Sequence, residues 1–175
     1  MNGLALRVTS EQLQRAQRLM GIAAVESVRL VHVRAGNMTA EGCPVTKAEE
    51  KSMPTATVAL IANTNRFRVL FGHVIHGQRE AKGSTEVQVD ATFELVYSYP
   101  QDIQPVPTPE ELQAFADTNA LMNCWPYWRE LVQNMVARMN LPPIMVPLLR
   151  FVPPQPPPKE TPPDATVKTE AAPKG

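Results

Sequence analysis

Two stretches of this chain carry the residues that could do chemistry: Trp125-Pro126-Tyr127-Trp128-Arg129-Glu130 and Leu141-Pro142-Pro143-Ile144-Met145-Val146-Pro147. Their chemistry is burial and not bond making. Large apolar side chains lie beside a segment that prolines keep from being helical, and no nucleophile, acid or base is grouped with them. His73 and His76 invite a metal reading, but residues three apart on a strand face opposite sides, so they cannot share an ion without a distortion. No Ser-His-Asp or Cys-His arrangement, glycine-rich phosphate loop or helical HExxH occurs, which leaves nucleophilic, nucleotide and metallohydrolase chemistry without a motif. The chain is expected to bind something, to use no metal or cofactor, and not to be an enzyme.

Composition narrows the partner. Lys plus Arg and Asp plus Glu are 17 each in 175 residues, so nothing pulls the chain generally toward nucleic acid or an anionic membrane. No run reaches the roughly 18 apolar residues that would cross a bilayer, and Met1 to Arg18 lacks the apolar centre of a signal peptide. Cys43 and Cys124 are isolated thiols without CxxC spacing, which suits a reducing compartment. A soluble, cytoplasmic protein is expected.

The elements that must position these residues are legible from periodicity. Ser10 is expected to cap a helix over Glu11–Met20, with Leu13, Ala16, Leu19 and Met20 on one side and Gly21 ending it. Val25 to Ala35 reads as a strand with Val31 and Val33 on one face and Val28 and Leu30 on the other. Residues 36–54 read as a mobile connection. Thr57–Ala62, the turn-prone Asn63-Thr64-Asn65, and the alternating Phe67, Val69, Phe71 and Ile75 make a hairpin. In Thr85–Tyr99, Val87, Val89, Ala91, Phe93, Leu95, Tyr97 and Tyr99 alternate with Glu86, Gln88, Asp90, Thr92 and Glu94, so one face is dry.

Helices follow. Thr108-Pro109-Glu110-Glu111 combines a cap, a first-turn proline and a capping-box glutamate, and Leu112, Phe115 and Ala116 give its buried stripe. Pro126 is placed in the first turn of a second helix reaching about Asn140, with Trp128, Leu131, Val132, Met135 and Met139 on its buried side. The fold class is α+β: a four-stranded antiparallel sheet with a short N-terminal helix and two C-terminal helices. Residues 1–24 form the N-terminal helical segment, 25–152 the main domain, and 153–175 a proline-rich tail too poor in apolar residues to order itself.

This order of elements, together with three local motifs, resembles the SecB family of protein-export chaperones, including the SecB-like chaperones of toxin-antitoxin systems. Ala91-Thr92-Phe93-Glu94-Leu95-Val96-Tyr97 is similar to the family's last strand, Trp125 to Glu130 to the start of its long helix, and Leu141 to Pro147 to the apolar exit from that helix. The resemblance implies a homotetramer built as a dimer of dimers and ATP-independent holding of unfolded or pre-secretory polypeptides in apolar grooves. The client-binding candidates are Phe67, Val69, Phe71, Trp125, Met139, Leu141, Ile144, Met145 and Leu148, with sheet core or subunit packing as the competing role for several of them.

The row Glu86, Asp90 and Glu94 is the candidate docking patch for a basic partner segment such as the SecA tail. Export SecB proteins are acidic, whereas this chain is neutral and carries Arg66 and Arg68 in the neighbouring strand. The early helix and the tail are more similar to the toxin-antitoxin chaperones, whose client is an antitoxin. An export holdase and an adaptor for one client both fit the sequence.

Overall fold

The computed structural model of the chain describes residues 4–37, 47–49, 54–78 and 85–152. Strand β1 is Leu4–Arg7, helix α1 Ser10–Met20, β2 Ala24–Asn37, β3 Lys47–Glu49, β4 Thr55–Ile61, β5 Arg66–Gln78 and β6 Thr85–Ser98. Helix α2, Pro109–Phe115, runs through a π-helical turn at Ala116–Ala120 into α3, Leu121–Arg138, and β7 is Leu149–Val152. The tail from 153 and most of the expected connection, Cys43 included, lie outside the described residues.

The main sheet is antiparallel and ordered β2-β6-β5, with β3 and β4 lying one after the other along the free side of β5, so it is four strands wide. The β4–β5 hairpin turns where Asn63 takes φ of 58°, a left-handed conformation that asparagine tolerates. Strict alternation puts Val87, Val89, Ala91, Phe93, Leu95 and Tyr97 of β6 on one buried face. Phe67, Val69, Phe71, His73 and Ile75 of β5 join them there. Phe67 stacks on Tyr97 at 5.1 Å, and Phe115 meets both rings edge-on at 5.5 and 5.0 Å. This aromatic contact fastens the helical layer to the sheet.

Three expectations need correction. Thr9, and not Ser10, caps α1: its hydroxyl accepts from the Gln12 N–H while the Gln12 side chain accepts from the Thr9 N–H. In β2, register shifts between Val25 and Ser27 and between Leu30 and His32 change the phase of alternation. Val28, Leu30 and Val33 therefore lie opposite Leu95, Phe93 and Ala91 and share their face, where unbroken alternation would have divided them.

Finally, Pro126 does not start a helix. The helical chain is continuous from its Thr108 cap, and Pro126 lies inside α3. Its missing N–H costs one intrahelical bond, but at an exposed position where solvent can serve the orphaned carbonyl. Thr118 supports the π turn by donating to the Ala114 carbonyl at 2.7 Å, and Gln113 donates to Asp117 at 2.8 Å.

The helix ends as the sequence predicts, for a specific reason. Asn140 takes φ of 53°, its N–H donates to Ala137 O at 3.0 Å, and the Leu141 N–H donates to Val136 O at 3.1 Å. These are the two bonds of a Schellman cap, and Pro142-Pro143 then forbids further helix. A parallel pairing of β1 with β7, not foreseen from the sequence, ties the N-terminal segment to the chain beyond that exit. Arg18 of α1 pairs with Glu111 of α2 at 3.2 Å. No helix among the described residues is long and apolar enough to cross a membrane.

Burial pushes the Tyr97 hydroxyl up from 10.0 to about 12, against a smaller lowering by its bond from Asn123. Because the folded value lies above the unfolded one, this stability is fully present below pH 10 and is lost as pH climbs toward 12. The two-unit shift amounts to about 2–3 kcal/mol at the alkaline limit. Urea unfolding of Tyr97→Phe across that range should show a correspondingly flatter loss. The buried Cys124 thiol, also pushed up by burial, leaves a residual slope of the same sign.

Candidate binding site

Beyond the Schellman cap, residues 141–148 form an exit segment that turns back along α3 without regular structure. Three of its residues are proline and donate no backbone hydrogen bond, so its carbonyls must find donors elsewhere. The helix supplies them. Trp125 donates its indole N–H to the Pro147 carbonyl at 2.9 Å, and Arg129 donates Nε–H to the Val146 carbonyl at 3.2 Å. Held this way, the segment turns Ile144 and Val146 into the core and leaves Met145 and Leu148 each 63% exposed.

Between α3 and the end of this segment lies a hollow of about 130 Å³, lined by Met122, Trp125, Pro126, Arg129, Leu148 and Leu149. Met122, Pro126 and Arg129 fall on one helical stripe by their i, i+4, i+7 spacing. Trp125 is 4% exposed, its ring 5.6 Å from that of His73 in the core, so it contributes a wall and not a free stacking surface. Such a surface can take an extended segment and bury its apolar side chains. Its lining among the described residues is apolar apart from Arg129.

The residues singled out from the sequence are thus divided. Trp125 and Leu148 meet at the hollow, and Met145, on the same segment, is exposed without lining it. Ile144 is core, while Met139 and Leu141 are partly buried and pack against it. Phe67, Val69 and Phe71 are fully buried beneath the helices in the single chain. Tyr127, of the same motif as Trp125, is exposed. Met122, Pro126, Arg129 and Leu149 were not recognised as lining residues, although the helical stripe was a signal for the first three. Arg129 and Glu130 are neighbours in sequence and leave a helix in different directions, so they do not face each other.

The acidic row lies on the opposite, outward face of the sheet. Glu94 is 7% exposed and clasped by Arg29 at 2.6 Å, with Arg68 at 3.9 Å. Asp90 is half-buried with Arg34 opposite it in register, and the Glu86 side chain lies outside the described residues. Arg66 pairs with Glu26 at 3.0 Å. Of the acidic row, Glu94 is thus paired within the chain.

Among solved structures, this chain is similar to the SecB-like chaperone of Mycobacterium tuberculosis in complex with a ChAD peptide from the HigA1 antitoxin. The two are 25% identical with a TM-score of 0.70, over 80% of this chain and 99% of that one. The chain is SecB-like. A protein of unknown function from Streptococcus agalactiae is also similar, at 12% identity and a TM-score of 0.41 over 72% of this chain and 97% of that one. No protein-family model and no curated protein matches the sequence. The SecB-like fold has the α+β sheet, early helix and C-terminal helical layer expected from the sequence.

Replacing Trp125 by Phe keeps the wall of the SecB-like chain's hollow but removes the bond to Pro147. The variant should lose about 1 kcal/mol of stability. Faster amide exchange at Met145 and Leu148 than in the parent chain checks the effect.

Proposed function

We propose that this chain is an ATP-independent SecB-like holdase that keeps an extended, aggregation-prone segment against the trough beside the exit segment, and that its client is of the antitoxin type. The observation that carries this reading is the pair Met145 and Leu148, the most exposed large apolar side chains among the described residues, on the segment whose Leu148 lines the apolar hollow. The antitoxin peptide bound to the similar mycobacterial chaperone favours that client over a pre-secretory one. Burial supplies the affinity: a client side chain covering about 100 Å² of apolar surface gains about 2.5 kcal/mol before the cost of ordering it. A flexible thioether such as that of Met145 adapts to more than one partner shape.

The assembly we propose is a homotetramer, a dimer of dimers. Strand β2 is a 14-residue edge strand, and Val25, Leu30 and Val33 stand exposed along it. A second copy that paired with this edge would cover both its backbone groups and its apolar side chains. Several troughs on one oligomer would then hold a long client by effective concentration. Docking of SecA on the acidic row has less support, since Arg29 and Arg68 already engage Glu94. The same reading places the chain in the cytoplasm as a binding protein, without cofactor, nucleic acid or membrane insertion and without enzymatic activity.

Because Ile144 is core, the trough is tested through its exposed residues. Met145→Asp combined with Leu148→Asp should require roughly tenfold more protein to suppress aggregation of an antitoxin-type client, with the oligomer intact by native mass measurement. Unchanged protection by an intact oligomer would place the client elsewhere. Equal protection of several unrelated unfolded proteins by the parent chain would indicate a general holdase and not a dedicated one.

A further inference from the structure

We propose that the hollow beside α3 selects segments in which an apolar side chain is neighboured by a carboxylate, with Arg129 as the selecting residue; this rests on the binding function proposed above. Arg129 is the only charged residue among those lining the hollow, the others being Met122, Trp125, Pro126, Leu148 and Leu149. Its Nε–H is committed to the Val146 carbonyl at 3.2 Å, which anchors the base of the guanidinium. An anchored guanidinium is preorganised, so its terminal N–H groups can meet a planar carboxylate with little further loss of freedom.

Arg15, Arg18, Arg29, Arg66 and Arg68 each have a carboxylate partner within the chain. Arg129 pairs with none among the described residues, its bond being to a backbone carbonyl. A half-buried cation in apolar surroundings gains more from a carboxylate than a fully solvated one, and it discriminates against a second cation at the same place. With a net charge of zero, the chain sets up no overall acidic field to repel such a client. The occupant is therefore an extended peptide that places a large apolar side chain in the hollow and an Asp or Glu against Arg129.

Fluorescence anisotropy on the full chain tests this with three labelled, end-blocked peptides that share one apolar centre and differ only in carrying Glu, Gln or Lys beside it. The Glu peptide should bind the parent chain about fivefold tighter than the Lys peptide, with the gap narrowing as salt is raised. Arg129→Gln should bind all three alike, and Arg129→Lys, which keeps the charge but not the fork, should retain the order with a smaller spread. Equal binding of Glu and Lys peptides by the parent chain, weakened together by Met145→Asp with Leu148→Asp, overturns the selection while leaving the trough in place. Binding of none of the peptides overturns both readings.

Discussion

The bond from the Trp125 indole to the Pro147 carbonyl is the constraint on which the rest of the site depends. An extended segment rich in proline cannot pair its own backbone, and without donors from the helix it would have no reason to follow α3 back along its length. With Trp125 and Arg129 gripping successive carbonyls, each side chain from 144 to 148 has a fixed destination. Ile144 and Val146 complete the core; Met145 and Leu148 cannot reach it. Surplus apolar surface is thus imposed by backbone geometry and not by a shortage of core space.

That grip requires α3 to lie correctly over the sheet. Leu121, Cys124, Trp125, Trp128, Val132 and Val136 form its buried stripe. The π turn at Ala116–Ala120 adds a residue's worth of rotation between this stripe and the one of α2, which allows both to face the same sheet. Trp128 and Trp125 then bracket His73 of β5 at 5.0 and 5.6 Å, so helix and sheet are registered by aromatic contact. The pairing of β1 with β7 secures the exit segment at its far end.

What could be read from the sequence was whatever local periodicity determines. The unbroken alternation of β6, the Asn63 turn, the Thr108 capping box and the Asn140-Leu141-Pro142-Pro143 stop each rest on neighbouring residues, and each is present. The bulges of β2 are set by its pairing with β6, so an alternation count in β2 alone separated Val33 from Val28 and Leu30, whose face it shares. Pro126 misled because its cost depends on solvent access and on a helix begun many residues earlier. The β1–β7 pairing is wholly non-local.

The candidate site was legible in part for the same reason. Apolar residues next to prolines announced a binding segment, but whether a given one points in or out depends on side-chain bonds from another element. Leu148 and Ile144 could not be told apart until Trp125 and Arg129 were placed. Arg129 itself is the charged member of the helical stripe that holds Met122 and Pro126. Only the exit segment lying against it gives its charge a specific setting.

The central claim, that apolar surface held out of the core by this grip receives the client, is tested most directly by the methionine methyl groups. In carbon-13 methyl spectra, addition of an unfolded antitoxin-type polypeptide should shift or broaden Met122, which lines the trough, and the exposed Met145 of the exit segment, and leave Met20 on α1 unmoved. If the client binds while Met122 and Met145 keep their free positions and widths, the trough is not where it is held.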